Sequence, residues 1–228
     1  MMLTWQNTAW DFKVQPPLVA ILPLAGLEPH GERLPVGTDQ FIVSEISNRV
    51  ASRLRFSTFL LPTWPLGTPL KFGGQTGAIT LGFETLWGVV RDIVVSLNAH
   101  DIHRVVVINN HGSAATPTVL PVGNSIVKTA LRQLNYENPG LTAVWVQPFA
   151  AGREALNALF PSAELDMQAG ALETSILMYL APAYVLDGDE IRSGDVSAVK
   201  GKLALDAVVN ATVAYIEQSF DQLDQIKG

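Results

Sequence analysis

The sequence predicts an α/β domain in which a mostly parallel sheet is covered by helices on both faces. Short apolar segments rich in Val, Ile and Leu alternate with longer segments of helical period, which is the pattern of consecutive βαβ units. The segment Val105–Ile108 contains no polar residue, and such strands are typical of a sheet that is buried on both faces. No internal repeat, low-complexity segment or linker interrupts the pattern, so we expect a single domain over residues 1–228.

Each element is predicted from a local pattern of the same kind. The segment Leu18–Leu24 is an apolar run of strand length. In Thr38–Leu54 apolar residues recur every four positions, which is the spacing of one helix face, and Thr38 is a residue type that caps helix starts. The remaining predicted elements, in chain order, are strand Phe56–Pro62, loop Gly67–Thr80, helix Phe83–Ala99, strand Arg104–Asn110, a helix from Pro117 to about Leu134, strand Leu141–Gln147, helix Ala169–Leu180 and helix Leu203–Phe220.

Composition and charge exclude several classes of protein. The chain has no cysteine, so disulfides, thiolate metal sites and cysteine nucleophiles are impossible. Its net charge is −6 without a Lys/Arg cluster, which argues against a nucleic-acid partner. It shows neither an export signal nor an apolar run of about 18 residues, so we expect no membrane association and a cytoplasmic location.

Two observations indicate that part of the surface is covered by other copies of the chain. Charged residues make up only 16% of the sequence, which is low for a chain with no membrane segment. Apolar residues also surround the predicted loop Gly67–Ile79, which is either a subunit interface or a lid over the chain's own pocket. These apolar residues are Trp64, Leu66, Leu70 and Phe72.

Candidate metal ligands follow two of the predicted strands. Glu28, His30 and Asp39 come after the first strand, and His111 comes after Val105–Ile108. Since the carboxyl ends of parallel strands form one edge of a sheet, these side chains are expected to gather there. Carboxylates and imidazoles are suitable ligands for Zn²⁺, Mn²⁺ or Fe²⁺. Taken alone, an isolated Glu-x-His or His-Gly is more typical of a solvated loop than of a metal site, and Asp39 alone is consistent with a carboxylate at a helix start.

Three sequence blocks in this order resemble those of the creatininase family, which comprises creatinine amidohydrolase-like metal hydrolases. The first block reads GLEPHG at 26–31 followed by LPVGTD at 34–39, the second NNHG at 109–112, and the third AGALETS at 169–175. The resemblance implies a three-layer α/β/α sandwich and a divalent-metal centre that opens C–N amide bonds. It also implies a homo-oligomer, often a hexamer.

The resemblance further implies a set of five metal ligands for one or two ions of Zn or Mn, or of Fe. By correspondence of the blocks, the ligands are Glu28 and His111 on one ion, His30 on the other, Asp39 bridging the two, and Glu173 completing the site. Ser113 stands where members of the family carry a further glutamate. Glu173 must therefore serve in its place, or the second ion is weakly held.

Two further departures from the family pattern concern substrate binding and proton transfer. Arg33 and Gln168 stand where the family usually has histidines. A glutamine cannot carry a proton at neutral pH, so protonation of the leaving group is expected to fall to Glu173, Glu32 or water. Arg33 could clamp an anionic group of the substrate or pair with a surface acid. We expect Arg33, Gln168 and Ser113 to line the substrate site.

Three functional hypotheses follow from these patterns. The first is a metal-dependent amidohydrolase in which a metal-activated water opens a C–N bond of a small cyclic amide, formamide or peptide-like substrate. The second is a catalytically degenerate member of the family that binds a ligand or partner in the former active-site pocket. The third, an α/β nucleotide-binding domain, is disfavoured because no Gly-x-Gly-x-x-Gly follows the first strand.

Overall fold

The structure is a computed structural model that describes residues 1–69, 73–110, 122–160, 169–187 and 196–227. Within these residues, five strands form one sheet in the order β1-β3-β2-β4-β5, and every neighbouring pair is parallel. The predicted α/β fold with a mostly parallel sheet is therefore confirmed. The strands are β1 (Met2–Thr4), β2 (Val19–Leu24), β3 (Thr58–Leu60), β4 (Arg104–Asn109) and β5 (Thr142–Val146).

Helices cover both faces of this sheet. Helices α3 and α4 pack on one face, while α2 and α5 to α8 lie on the other, which makes a three-layer α/β/α sandwich. A short 3-10 helix, Pro182–Tyr184, follows α7. The helices are α1 (Ala9–Val14), α2 (Thr38–Arg53), α3 (Phe83–Asn98), α4 (Val122–Glu137), α5 (Pro148–Ala151), α6 (Arg153–Leu159), α7 (Ala171–Leu180) and α8 (Ala198–Lys227).

Side chains of the central strands alternate between the two helical layers. In β4, Val106 and Ile108 pack in the larger core against α2, α7 and α8, whereas Val105 and Val107 pack against α3 and α4. All four valine and isoleucine side chains are fully buried. The alternation follows from the period of two residues in a strand, and the apolar character of β4 on both faces follows from the two helical layers.

The strand register brings the carboxyl ends of β2 and β4 to the same level. Leu24 of β2 lies opposite Asn109 of β4, so these two strands end side by side. Glu28 and His30 follow β2, and Asp39 lies in the first turn of the next helix, α2. The predicted ligand His111 follows β4 in the sequence and lies outside the described residues.

The β5 edge of the sheet is covered by a side chain of α4. The Ala143 backbone N–H donates to Asn135 Oδ1 at 2.7 Å, and Asn135 Nδ2 donates to the Ala143 carbonyl at 2.9 Å. The amide of Asn135 therefore replaces a neighbouring strand at this position, which satisfies two backbone groups that would otherwise be open to another chain.

Helix α8 crosses α7 at close range. A Cβ atom at Gly201 would lie 1.9 Å from the Ser175 carbonyl oxygen, so only glycine fits there. The predicted helix Leu203–Phe220 lies inside α8, which extends beyond it at both ends.

Several other details differ from the sequence predictions. The N-cap of α2 is Gly37, and the Thr38 hydroxyl donates instead to the Pro35 carbonyl at 2.7 Å; the predicted Thr38 cap is therefore wrong. Leu70, Phe72 and the predicted start of a helix at Pro117 lie outside the described residues. Within the described residues, no helix combines the length and apolarity that crossing a membrane requires.

Candidate metal centre

His30 is held by the extended segment that follows β2. Its ring Nδ1 lies 3.0 Å from the Glu28 carbonyl oxygen, and because a carbonyl only accepts, Nδ1 carries the proton of that hydrogen bond. The other ring nitrogen, Nε2, is therefore the one that faces the neighbouring carboxylates. A backbone carbonyl that fixes the tautomer in this way is the usual second-shell partner of a metal-ligating histidine.

Asp39 reaches the same point from the first turn of α2. Its Oδ1 lies 3.7 Å from His30 Nε2, and the side chains of both residues are buried. A carboxylate in the first turn is favoured by the helix dipole. The backbone carries Asp39 back to His30 through a turn in which the Glu28 N–H donates to the Val36 carbonyl at 3.1 Å.

Glu173 comes from the first turn of α7, on the same face of the sheet. Its Oε2 accepts a hydrogen bond from the Ala169 N–H at 2.8 Å and lies 3.8 Å from His30 Nε2. Ala169 adopts φ +61°, a left-handed conformation that is uncommon for a residue other than glycine. This backbone conformation is part of the geometry that fixes the Glu173 carboxylate beside His30.

These residues meet the geometric requirements of a metal site. Glu28, His30 and Asp39 each offer a ligand atom within 4.8 Å of the others, and all three residues are buried. Tetrahedral donors about 2.0–2.2 Å from one ion lie about 3.3–3.6 Å apart, so binding requires the ligand atoms to approach one another by about 1.5 Å at most. The donor set contains only nitrogen and oxygen atoms, which suits Zn²⁺, Mn²⁺ or Fe²⁺.

The electrostatics of the cluster also favour a cation. Burial raises the pKa of Glu173 to about 8, although His30 opposes this shift. Burial alone would lower the pKa of His30, but Asp39 and Glu173 outweigh burial and raise that pKa to about 9. Three buried carboxylates, those of Glu28, Asp39 and Glu173, thus lie around one imidazole. A divalent ion bound here would take the place of the protons on Glu173 and His30 and balance the charge of the carboxylates.

The other predicted site residues are placed differently. His111, Ser113 and Gln168 lie outside the described residues. Glu32 is exposed, so its side chain is not part of the buried cluster, and Arg33 is half-buried. The Arg33 carbonyl accepts a hydrogen bond from the Leu186 N–H at 3.1 Å, which ties the loop after β2 to the segment after α7. The structure thus brings together four of the five predicted ligands.

Sequence reasoning did not single out several buried polar groups that follow β3, β4 and β5. Each has an atom without a hydrogen-bond partner in the described part of the chain: Trp64 Nε1, Thr68 Oγ1, Gln147 Nε2, and both amide atoms of Asn110. They come after the carboxyl ends of their strands, where α/β proteins bind ligands. A polar residue directly after an apolar strand was the available signal, but it does not distinguish a paired amide from an unpaired one.

The fold and the cluster together define a class of protein, a three-layer α/β/α protein with a buried carboxylate–imidazole cluster at the carboxyl edge of a parallel sheet. The family model for creatininase, described as creatinine amidohydrolase, matches residues 2–218, and the chain therefore belongs to the creatininase family. The resemblance drawn from the three sequence blocks is confirmed.

Two curated relatives indicate how varied the named activities of similar proteins are. The chain is 30% identical over 183 residues to the mycofactocin precursor peptide peptidase of Mycobacterium ulcerans (strain Agy99), a match that covers 77% of this chain and 63% of that protein. It is 28% identical over 178 residues to the creatinine amidohydrolase of Pseudomonas putida, covering 73% of this chain and 66% of that protein. The matched segment thus spans slightly less than two thirds of these relatives.

A solved structure supports the fold independently. A structure described as "Creatininase Mn" matches with a TM-score of 0.77 at 21% identity, covering 96% of this chain and 99% of that chain. At this identity the likeness shows the fold, and the three-layer sandwich is thereby confirmed.

Proposed function

We propose that this chain is a metal-dependent hydrolase that opens a C–N bond in a small cyclic amide, a formamide or a peptide-like substrate. The observation that carries the proposal is the buried cluster of Glu28, His30, Asp39 and Glu173, in which the tautomer of His30 is fixed by a backbone carbonyl. Family membership supports the reaction class, because the similar proteins are named as an amidohydrolase and a peptidase.

The donors fit one or two divalent ions, with Zn²⁺ and Mn²⁺ as the leading candidates and Fe²⁺ as a third. When bound, such an ion supplies Lewis acidity that polarises a carbonyl and acidifies a water. Asp39, at the start of α2, is placed to offer two oxygens, and His111 is proposed to complete the ligand set. A manganese-containing relative of the same fold is consistent with this assignment.

The remaining roles fall to residues around the cluster. Glu173 is both a proposed ligand and the proposed proton donor to the leaving nitrogen, since its Oε2 is held in place by the Ala169 N–H. Glu32, which is exposed, is the alternative donor. Arg33, Gln168 and Ser113 are proposed to bind the substrate, with Arg33 pairing with an anionic group through two parallel hydrogen bonds.

We also propose that the chain works in the cytoplasm as a homo-oligomer, a hexamer by analogy with its family, without nucleic-acid or membrane partners. Exposed large apolar side chains support self-association, with Trp5 67% and Trp10 69% exposed near the β1 edge of the sheet. Sedimentation of the full chain at micromolar concentration tests the assembly. A monomer under these conditions would contradict it.

One experiment separates the proposed hydrolase from its alternative. The full chain is purified without added metal, its metal content is measured, and hydrolysis is then assayed with creatinine, a formamide and a short peptide before and after chelation. The proposal expects at least one ion per chain and hydrolysis of at least one substrate that chelation abolishes. Absence of both metal and turnover would favour the second candidate, a degenerate binding protein, which is supported by the replacement of family histidines at Arg33 and Gln168.

A further inference from the structure

Asn110 is a buried residue whose side-chain amide has no partner within the part of the chain that the structure describes. It is 4% exposed, and neither Nδ2 nor Oδ1 makes a hydrogen bond. A buried polar group without a partner destabilises the folded chain, and folded proteins contain few of them. An unpaired amide at a ligand-binding edge is therefore a candidate for contact with a molecule from outside the chain.

Asn135 shows what a structural asparagine looks like in the same fold. Its Oδ1 accepts from the Ala143 N–H, and its Nδ2 donates to the Ala143 carbonyl. Both halves of that amide are thus used by the protein itself. Asn110 and Asn135 can therefore be compared directly, because the same side chain is hydrogen-bonded at Asn135 and has no hydrogen bond at Asn110.

The position of Asn110 relates it to the metal centre. It follows Asn109, which lies opposite Leu24 of β2, at the edge from which the loop carrying Glu28 and His30 departs. It also comes two residues after Ile108, which packs on the face covered by α2 and α7. Alternate residues of an extended segment share a face, so the alternation of β4, continued one residue past its end, assigns Asn110 to the face on which Asp39 and Glu173 are carried.

The chemistry of a carboxamide limits what it can bind through both atoms at once. Its N–H and C=O groups lie side by side in one plane. A lactam or a primary amide presents its own C=O and an N–H on the same side and can form two parallel hydrogen bonds with such a group. A trans peptide bond presents them on opposite sides, so it can satisfy only one of the two atoms.

We propose that Asn110 binds the amide group of the substrate through this pair of hydrogen bonds. The chain then selects small cyclic amides and primary amides over trans peptide bonds. This inference rests on the proposed function only in assuming that the natural ligand is an amide. It narrows the three substrate classes considered above to those whose amide is cis or primary.

The test uses two probes that differ in one N–H group, 2-pyrrolidinone and N-methyl-2-pyrrolidinone. Their affinities for the full chain, with and without added Zn²⁺, are measured by ligand-observed NMR titration for the wild type, Asn110→Leu and the control Asn135→Leu. The wild type and Asn135→Leu are expected to prefer 2-pyrrolidinone by about ten-fold, which corresponds to one to two hydrogen bonds. Asn110→Leu is expected to bind both lactams equally.

Thermal unfolding of the same variants supplies a second, independent readout. Removal of an unpaired buried amide leaves stability unchanged or higher, whereas removal of a paired one lowers it. Asn110→Leu is therefore expected to unfold at or above the wild-type temperature, and Asn135→Leu below it. Asn110→Ala repeats the binding measurement in case leucine does not fit the site.

Three results would overturn the inference: an equal preference for 2-pyrrolidinone in the wild type and Asn110→Leu, a wild type that binds neither lactam, or a loss of stability in Asn110→Leu as large as in Asn135→Leu. Metal content and turnover are measured on the same samples. A chain that hydrolyses amides but keeps its preference in Asn110→Leu retains the proposed function and loses this inference. A chain that shows the expected lactam preference but has neither metal nor turnover supports this inference and contradicts the proposed function.

Discussion

Helix α2 carries a cluster of charged side chains near each end, and the two clusters differ in exposure and in charge balance. Asp39, in the first turn, is 2% exposed and lies beside His30. Glu28 and Glu173 are also buried around this imidazole. Among these four side chains, three carboxyl groups surround a single imidazole.

In the last turns of α2 the charges are matched. Arg49 contacts Glu45 through Nε at 2.6 Å and Asp206 of α8 through Nη1 at 2.9 Å. Lys202 contacts the other oxygen of Asp206 at 2.8 Å, and Arg53 approaches within 3.7 Å. These side chains are partly exposed, and each carboxylate has at least one cationic partner.

The difference teaches how to distinguish a structural charge cluster from a functional one. A balanced and half-exposed network holds two helices together and needs nothing further. Buried carboxylates in excess are costly for the chain, and such an arrangement is typical of sites that bind a cation or perform chemistry. Burial combined with imbalance, rather than the number of charged residues, identifies the candidate site.

The largest effect is expected from Asp39→Asn, which removes a proposed bridging ligand. Loss of a residue that merely supports a ligand lowers metal affinity about 10–100-fold, so loss of the ligand itself should exceed 100-fold. Metal content after dialysis and a competition titration with a chelator measure the change.

Asp206→Asn is the matched control. It also neutralises an aspartate, but one on α8 that contacts the opposite end of α2. Its metal content and affinity should equal those of the wild type. Equal metal loss in the two variants would show that the buried cluster is not the metal-binding site.

The second prediction concerns pH. In the metal-free chain the pKa of His30 is raised to about 9 and that of Glu173 to about 8, so both side chains are protonated at pH 7 and each must release a proton when it binds a metal. Affinity for Zn²⁺ should therefore rise about 100-fold per pH unit below the pKa of Glu173, about ten-fold per unit between the two pKa values, and level off above the pKa of His30. Calorimetric titrations in buffers of different ionisation enthalpy count the protons released. A pH-independent affinity without proton release would show that His30 is not a ligand.

A smaller change is expected at Arg33, which is proposed to bind an anionic group of the substrate. Arg33→Ala should raise KM for anionic amides about ten-fold, the value of one charge-assisted hydrogen bond, and leave neutral amides nearly unchanged. Arg33→Lys should fall in between, because it keeps the charge and loses the two-pronged geometry. Steady-state kinetics with paired charged and neutral substrates provide the measurement, and equal effects on both would assign Arg33 to the scaffold.

The smallest predicted effect is on stability at the balanced cluster. Asp206→Asn should lower the free energy of unfolding by about 1 kcal/mol, because partly exposed pairs contribute little each. The hydrogen bond from Lys202 lowers the pKa of Asp206. Its contribution is therefore complete above the ordinary aspartate range and is lost as pH falls through the lowered pKa. Urea unfolding of both proteins from pH 7 to 3 should show the difference shrinking toward zero, and a constant difference would contradict this.

The sequence predicted the sheet and most of the cluster because both depend on strong local patterns. An apolar run such as Val105–Ile108 indicates a strand of a sheet that is buried on both faces. Glu28 and His30 share one side of an extended segment, which alternation already implies. Glu173 could be located from the third sequence block, although its distance from His30 depends on how α7 packs.

Other features could not be predicted because they depend on tertiary packing, which a local sequence pattern does not encode. Strand β1 and helix α1 are too short for a clear period, and α1 contains no buried residue. The ends of α8 extend past the apolar stripe that predicted it, because its polar terminal turns follow helical geometry without an apolar signature. The state of the Asn110 amide became visible only once its neighbours were placed.

The long crossing of α8 has a consequence for how the chain reaches its native state. Leu205, Val208, Ile216 and Phe220 of this helix are fully buried in the larger core, yet they are synthesised after every strand of the sheet. A ribosome adds about 5–20 residues per second, so α8 is synthesised some seconds after the α2 and α7 residues against which it packs. During that interval an apolar surface is open to the solvent, and a chaperone that shields it would raise the yield of folded protein without altering its final stability.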